Sequence, residues 1–282
     1  MKNPKILYIL ISAFCIFAVI TGVYVEFVVK NKGDNQNEIG NSNIENNNNT
    51  VVEKTQEELK TQLASLFTNM IMPYNYDISD VQKLDDSKDI IYTVHHIEKS
   101  EENYEMNISL PVVNIKGEVA SSFNNITQTI FANKASEILS GQSMNKTIYS
   151  VNYVAFINQN ILSVAIQSTL KEGNNPQRVI VQTYNYDLQT GEAVQLTNML
   201  THKNIIQSDA QKQINETVTK AQEQAQILVQ SGYTVYNRNL SNPMYQLANV
   251  STYFLGPNGN LYIIFAYGNQ NFTSDMDIVF YE

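Results

Sequence analysis

The sequence contains no tryptophan, a single cysteine and only three histidines, and 16% of its 282 residues are charged. The cysteine, Cys15, lies inside an apolar run, so the rest of the chain forms no internal disulfide and depends on packing for its stability. Three histidines leave little material for a histidine-based metal centre. Because charge is sparse while asparagine, glutamine, serine and tyrosine are abundant, amides and hydroxyls must provide most of the wetted surface.

Basic residues are the scarcer of the two charged classes. From Gly33 to the last residue the chain carries 14 Lys and Arg against 26 Asp and Glu, a net charge of −12. That sign disfavours binding to nucleic acid and electrostatic docking to an anionic membrane. A cationic partner is the better electrostatic match, but solubility without any partner is the favoured explanation of the acidity.

One long apolar segment lies near the start of the chain. Residues 6–25 carry no charge and are long enough to cross a bilayer as a helix. Lys2 and Lys5 precede the segment, which places the N-terminus in the cytoplasm by the positive-inside tendency. No small-x-small cleavage site follows, so an uncleaved anchor is favoured over a signal peptide. Residues 28–54 are polar, which predicts a disordered linker.

Three later segments have apolar residues at the helical period. At the start of the first, Thr55 and Glu58 have the spacing of a capping box. The predicted helices extend from Thr55 to Pro73, from about Gly117 to Gly141, and from after Gly191 to about Ser231. The first helix has an apolar stripe that must be buried, and packing on the domain's own sheet is favoured over a free partner-binding helix.

Eight segments have the alternation or the β-branched composition of strands. They are residues 90–98, 104–112, 149–157, 162–166, 178–187, 252–255, 261–267 and 276–281. Asn258 and Gly259 predict a tight hairpin turn between the sixth and the seventh. Because strands and helices are segregated and do not alternate as βαβ units, the predicted fold class is α+β. It comprises antiparallel sheets with packed helices, behind a single N-terminal transmembrane helix and a polar linker.

The histidines do not predict a metal site or a catalytic centre. His95 and His96 are adjacent on a predicted strand, so their side chains point to opposite faces and cannot chelate one metal together. His202 is more distant and follows a helical turn. A shared site would require long-range proximity, so we expect no histidine-based chemistry.

Two groups of aspartates are candidates for chemistry. Asp85, Asp86 and Asp89 form an acidic loop that could hold a cation, but the spacing is not that of a calcium loop, and a solvated loop is favoured. Asp275 and Asp277 alternate along the last predicted strand and are expected on its wet face. Such a pair would perform acid–base chemistry only within a cleft.

Tyrosine is the abundant aromatic residue, with 17 copies. Tyrosine can stack on sugars or fill a protein interface, and it is also a common strand residue, so the two explanations stay open. The phrase Tyr-Asn-Tyr-Asp occurs at residues 74–77 and again at 184–187. The residues around the two copies do not match, which indicates a chance repeat and not a duplicated binding loop.

The second copy belongs to a longer phrase that carries a family resemblance. Residues 184–192, Tyr-Asn-Tyr-Asp-Leu-Gln-Thr-Gly-Glu, precede Leu196-Thr-Asn-Met-Leu200 and a long helix, and this order resembles the DUF3298 family. Residues 105–139, a strand and then a helix, are similar to the DUF4163 module that commonly precedes it. The resemblance implies the extracytoplasmic part of RsiV-type anti-sigma factors, which bind lysozyme, or the N-terminal part of some peptidoglycan deacetylases.

The resemblance does not extend to either whole protein. An anti-sigma factor needs a longer cytoplasmic segment than residues 1–5, and a deacetylase needs a further domain with metal-binding His and Asp. The matching phrase looks structural, so no ligand-binding residue is carried over. The predicted segments are a cytoplasmic stub at 1–5, a transmembrane anchor at 6–27, a disordered linker at 28–54, an amphipathic helix and loop at 55–89, a DUF4163-like module at 90–170 and a DUF3298-like domain at 171–282.

We therefore expect a membrane-anchored binding or sensing module and not an enzyme, without catalytic residues, cofactor, metal or nucleic-acid partner. Its place would be the cell membrane, crossed once, with the N-terminus in the cytoplasm and the C-terminal domain outside. The expected partner is a basic envelope-directed protein such as lysozyme, which the resemblance suggests. The alternatives are a peptidoglycan-binding accessory module and, least favoured, a cell-wall hydrolase or deacetylase.

Overall fold

A six-stranded sheet forms the centre of the protein in this computed structural model, which describes residues 54–141 and 146–282. Its strands are β1 (Met70–Ile71), β2 (Ile91–Ser100), β3 (Tyr104–Val113), β4 (Thr147–Asn158), β5 (Ile161–Glu172) and β6 (Arg178–Asp187). The order is β2-β3-β4-β5-β6, and β1 pairs with β4 next to the end of β3. The predicted module boundary at residue 170 falls within β5.

The sheet is mixed, not antiparallel as predicted. Strand β3 pairs with β4 in parallel, and so does β1. The helical connection between β3 and β4 explains this pairing, since it carries the chain back to the end of the sheet from which β3 started. That connection consists of α2 (Glu118–Thr127), a π-helical turn (Gln128–Ala132) and α3 (Asn133–Leu139). The α+β class is confirmed, and the predicted strands and the second helix occur near their expected positions.

A second sheet of three antiparallel strands follows, in the order β7 (Tyr253–Leu255), β8 (Leu261–Ala266) and β9 (Met276–Tyr281). The predicted hairpin at Asn258 and Gly259 is confirmed. The turn places Asn258 at a φ of 57° and Gly259 at 72°, in the left-handed region that these residue types tolerate.

Helix α1 (Gln56–Leu66) begins with the predicted capping box. The Glu58 N–H donates to Thr55 Oγ1, and the Thr55 N–H donates to the Glu58 carboxylate over 2.8 Å. The helix ends at Leu66 and not near Pro73, because the following residues form β1. There the Asn69 N–H donates to the Tyr153 carbonyl and the Met72 N–H to the Ala155 carbonyl, both over 2.8 Å.

The third predicted helix is two helices, α4 (Leu196–His202) and α5 (Gln207–Gln230). The chain breaks between them at Asn204, which has a φ of 56°. The Ile205 N–H donates to the Leu200 carbonyl over 2.8 Å and closes the end of α4. The predicted stop at the other end is confirmed, since Gly232 follows α5 with a φ of 87°.

The described elements pack as successive layers around the two sheets. Helices α2 and α3 cover one face of the six-stranded sheet, with Phe123 and Phe131 in that core. Helix α1 and one face of the three-stranded sheet cover part of the opposite face. Helices α4 and α5 pack on the outer face of the three-stranded sheet. Seven tyrosines are buried in these cores: Tyr149, Tyr153, Tyr186, Tyr245, Tyr253, Tyr262 and Tyr267.

The predicted cytoplasmic stub, the transmembrane anchor and nearly all of the linker, residues 1–53, lie outside the described residues. Across residues 54–141 and 146–282, no helix has the length and apolar character needed to cross a membrane.

Candidate functional site

The three histidines belong to different local environments. His96 lies on β2 with its Nδ1 3.1 Å from Ser109 Oγ. A register irregularity in β2 falls between Thr93 and His95, and His202 ends α4 on another layer of the fold. In the described part of the chain, no three His, Cys, Asp or Glu side chains gather as a group able to hold a metal ion.

Asp277 is buried, which corrects the prediction that it lies on a wet strand face. It is 1% exposed and forms a two-pronged ion pair with Arg238. Arg238 Nε lies 2.7 Å from Asp277 Oδ2, and Arg238 Nη2 lies 2.9 Å from Oδ1. The face of β9 that carries Asp277 was predicted to contact solvent, but the chain that follows α5 passes over it. Asp275 precedes β9 and accepts a hydrogen bond from the Tyr236 N–H over 2.8 Å.

Tyrosines complete the hydrogen bonding of this buried pair. Tyr267 donates its hydroxyl proton to Asp277 Oδ2, and Tyr245 donates to the Tyr267 oxygen over 3.0 Å. Burial raises the pKa of the Tyr267 hydroxyl, and the negative charge of Asp277 raises it further. Burial also raises the pKa of Tyr245 to about 12. These phenols stay protonated at neutral pH, and their hydrogen bonds help to fix the chain after α5 against β9.

Burial alone would lower the pKa of Arg238, but its hydrogen bonds and charge interaction with Asp277 outweigh burial and raise it. Sequence reasoning missed Arg238. A signal was present, since the chain has only two arginines and arginine is the residue suited to buried bidentate pairs with carboxylates. The pair connects the segment after α5 to β9, and we interpret it as a structural centre.

The acidic loop of residues 77–89 is the strongest candidate for a binding site. One buried side chain, Asn114, holds it against the chain that follows β3. Asn114 Oδ1 accepts from the Asp85 N–H over 2.9 Å, and Nδ2 donates to the Asp85 carbonyl over 2.8 Å and to the Asp89 carbonyl over 3.0 Å. Asn114 is 1% exposed. The Lys116 N–H adds a hydrogen bond to the Gln82 carbonyl over 2.9 Å. The loop is therefore organised before any partner arrives.

The loop presents its carboxylates outward, while Lys83 bonds to the loop's own backbone and Lys88 is exposed beside Tyr92. All five of its aspartates are exposed: Asp77, Asp80, Asp85, Asp86 and Asp89. Lys83 Nζ donates to the Lys88 carbonyl over 2.9 Å, and Lys88 Nζ lies 5.9 Å from the centre of the Tyr92 ring. Leu84 precedes Asp85 and Asp86 in the chain and has 58% of its surface exposed. An exposed apolar side chain on an acidic loop suits a basic protein surface.

The loop does not gather its carboxylates around one point. Asp85 Oδ1 instead accepts hydrogen bonds from the Ser87 N–H over 2.9 Å and from the Ser87 hydroxyl over 2.6 Å. These two hydrogen bonds lower the pKa of Asp85. The geometry supports the prediction of a solvated loop more than that of a cation site.

A trough between α1 and α5 is the second candidate surface. It has two adjoining parts of about 290 and 240 Å³, which share Gln56, Glu57, Ala221 and Gln224. The lysines Lys54, Lys60 and Lys220 line it together with Arg238 and the carboxylates Glu57, Asp275 and Asp277. Because charges of both signs line the trough, it does not select a cationic ligand. A larger open depression of about 650 Å³ runs along α2 and its π-helical turn and is lined from that side alone.

The phrase at residues 184–187 has a structural role. Asn185 is buried, accepts from the Ser163 hydroxyl over 2.7 Å and donates to the Tyr253 carbonyl over 2.8 Å. Asp187 accepts from the N–H groups of Gln189 and Thr190 and so shapes the turn that follows. The phrase therefore connects the two sheets and shapes a turn.

Comparison with known proteins finds a likeness to solved structures only. No family model matches this chain, and no curated protein matches it. Two similar solved structures come from Pseudomonas aeruginosa PAO1 and Bacteroides fragilis NCTC 9343. Both are DUF3298 family proteins. The first has 13% identity and a TM-score of 0.33 over 59% of this chain and 76% of its own. The second has 11% identity and a TM-score of 0.25 over 57% and 74%.

These structural neighbours carry the family name that the sequence resemblance implied. The DUF4163-like module and the RsiV-type organisation stay predictions.

Proposed function

We propose that this chain is a membrane-tethered, extracytoplasmic binding module, not an enzyme, and that its acidic loop captures a basic protein of the cell envelope. The observation that carries the proposal is the loop of residues 77–89, which Asn114 holds in a fixed shape with Leu84 and the five aspartates exposed. A preorganised loop binds with a smaller loss of conformational entropy than a loop that must order itself on contact. Lysozyme, which the family resemblance suggests, is the first partner to test.

We expect the acidic surface to attract the basic partner at long range, and Leu84 to pack against that partner once it is bound. Complementary charge increases the rate of productive encounter, whereas a desolvated apolar contact slows dissociation. Residues 6–25 supply the proposed anchor and residues 28–53 the proposed spacer, so the loop would act outside the membrane.

The first prediction is that the double variant Asp86→Asn, Asp89→Asn associates more slowly with lysozyme. Electrostatic steering by a whole charged surface raises association rates by about 10- to 1,000-fold, and these two aspartates supply part of that field, so we expect the rate constant to fall by about two- to tenfold at low salt. Surface plasmon resonance with the full chain in nanodiscs at two salt concentrations measures this. The matched control is Glu216→Gln, Glu223→Gln, which removes the same charge from α5. If both double variants slow association equally, net charge is responsible and not the loop.

The second prediction separates the shape of the loop from its charge. Asn114→Ala keeps all five aspartates but removes the hydrogen bonds that hold Asp85 and Asp89. We expect weaker lysozyme binding through faster dissociation, and a free energy of unfolding lower by about 1–3 kcal/mol, because backbone groups that Asn114 satisfied lose their partner. Surface plasmon resonance and urea denaturation test the two parts. Unchanged dissociation in a folded Asn114→Ala protein would contradict a role for the preorganised loop.

The alternative function is glycan binding, and the abundance of tyrosine was the main reason to consider it. Seven of the tyrosines lie in the cores, and among the residues described Tyr74 and Tyr233 are exposed, at 36% and 64%. Rings buried in the cores cannot stack on a sugar, so fewer tyrosines are available for this role. Retention of the chain on purified peptidoglycan without lysozyme would favour this alternative over the proposed function.

A further inference from the structure

The C-terminal end of α5 exposes a patch of apolar side chains. Ile227, Leu228, Val229 and Tyr233, here named the apolar tip, have 64%, 46%, 55% and 64% of their surfaces exposed. The residues from 224 to 237 include no charged side chain, although the protein carries a net charge of −9. An uncharged apolar end on an acidic protein requires a physical explanation.

The tip projects from the domain. The buried residues of α5 end at Ala225. Ile227, Leu228 and Val229 are consecutive, and consecutive helical side chains point about 100° apart, as 3.6 residues per turn requires. Their joint exposure therefore means that the last turn of α5 has little cover on any of these sides.

Backbone hydrogen bonds nevertheless fix the conformation of the tip. The Tyr233 N–H donates to the Leu228 carbonyl over 3.0 Å, and the Gly232 N–H donates to the Val229 carbonyl over 2.9 Å. With Gly232 in the left-handed region at a φ of 87°, these bonds form a Schellman motif, which fixes the chain direction after the helix. The motif holds Tyr233 back toward Leu228 and keeps the apolar residues together.

The tip lies on the side where the chain enters the domain. Leu228 lines the same part of the trough as Gln56 and Lys60, at the start of α1. Residues 28–53 precede this point in the chain, so 26 residues of sequence separate the proposed anchor from the domain.

We propose that the apolar tip inserts into the interfacial layer of the bilayer and so orients the domain on the membrane. This inference rests on the membrane anchor of the proposed function. Apolar helix residues with a neighbouring tyrosine suit that layer. Four side chains bind a bilayer weakly alone, but the tether makes the contact intramolecular and raises the effective concentration. The contact is apolar, so it should persist at high salt, unlike the capture of a basic protein.

The absence of tryptophan from the chain makes the proposal directly testable. Two matched single-tryptophan variants, Tyr233→Trp in the tip and Tyr74→Trp beside the acidic loop, are reconstituted as full chains in phosphatidylcholine vesicles. Part of the lipid carries brominated acyl chains, which quench nearby tryptophan. We expect blue-shifted, quenched emission from residue 233 at low and at high salt, and little quenching at residue 74. Adding Ile227→Ser and Val229→Ser to the Tyr233→Trp variant should remove most of the quenching.

Each other outcome overturns the inference and identifies the cause. If the chain floats with the vesicles but residue 233 is not quenched, the anchor holds and the tip does not insert. If the chain does not float with the vesicles, the membrane anchor fails and the inference fails with it. If emission from residue 233 shifts to the blue with rising protein concentration in detergent, and bromolipid has no effect, a second copy of the chain covers the tip.

Discussion

Replacing Asp277 by alanine is expected to lower the free energy of unfolding by about 3–5 kcal/mol, because the Arg238 guanidinium would stay buried without its partner. The bidentate geometry and the burial of both side chains, 7% and 2% exposed, place this pair among the ion pairs whose disruption is strongly destabilising. Tyr267 would lose the acceptor of its hydroxyl proton as well. Urea denaturation followed by circular dichroism measures the effect.

Glu282→Gln is the control for this prediction. It alters the Lys54–Glu282 ion pair, whose members are 36% and 69% exposed, and such surface pairs contribute about 0–1 kcal/mol. A second variant, Arg238→Met with Asp277→Leu, removes both buried charges and should recover much of the stability lost in Asp277→Ala. If Asp277→Ala were no more destabilising than Glu282→Gln, the buried pair would not be a structural centre.

The second large effect is expected at Gly268, which follows β8. A Cβ atom at this position would lie 1.8 Å from the Val179 carbonyl oxygen and 2.7 Å from the Thr273 carbonyl oxygen. Both obstacles are backbone, so a rotamer change cannot relieve them. Overpacking in a tight site costs about 1–3 kcal/mol and occasionally more, and we expect Gly268→Ala to lie at or above the upper end of that range. Thermal and urea unfolding provide the measurement.

Gly141→Ala is the matched control for Gly268→Ala. Gly141 has a φ of 71°, and an added Cβ would meet nothing within 4 Å. The substitution would cost about 1–2 kcal/mol of stability, only because alanine would have to adopt the left-handed backbone conformation. Equal losses in the two variants would mean that the chain around Gly268 rearranges to admit the methyl group, contrary to the close approach of Val179.

Both arginines of the chain act on the segment between β8 and the end of β9. Arg178 Nε donates to the Gly268 carbonyl over 2.6 Å and Nη2 to the Asn269 carbonyl over 3.2 Å. Arg238, from the chain that follows α5, pairs with Asp277 of β9. Arg178 belongs to β6 of the large sheet, so these contacts attach the small sheet to it. We infer that the two sheets unfold together.

Much of the secondary structure followed from local pattern. The capping box at Thr55, the stop at Gly232 and the hairpin turn at Asn258 depend on neighbours a few residues away, and all three predictions were confirmed. The errors arose where distant partners compete with local preference. The helix predicted up to Pro73 ends early because β1 finds backbone partners on β4, more than 80 residues away.

The candidate site shows the same division. The acidity of residues 77–89 and the spacing of Asp85, Asp86 and Asp89 are visible in the sequence. The sequence does not show that Asn114, which follows a strand, would hold the loop. The sequence also led to the wrong prediction that Asp277 is exposed to solvent. Strand alternation assigns residues to two faces, but it does not show what covers each face.

The acidic charge, the positions of most helices and strands, and the α+β class could be predicted from the amino-acid sequence, because each depends on composition or on contacts within a few residues. Which strands are parallel, which carboxylates are buried and which apolar side chains are left exposed became clear only from the folded protein. These features depend on residues such as Arg238 and Asp277, or Leu228 and Gln56, that come together from distant parts of the chain. Their proximity is a consequence of how the layers pack, which no local pattern records.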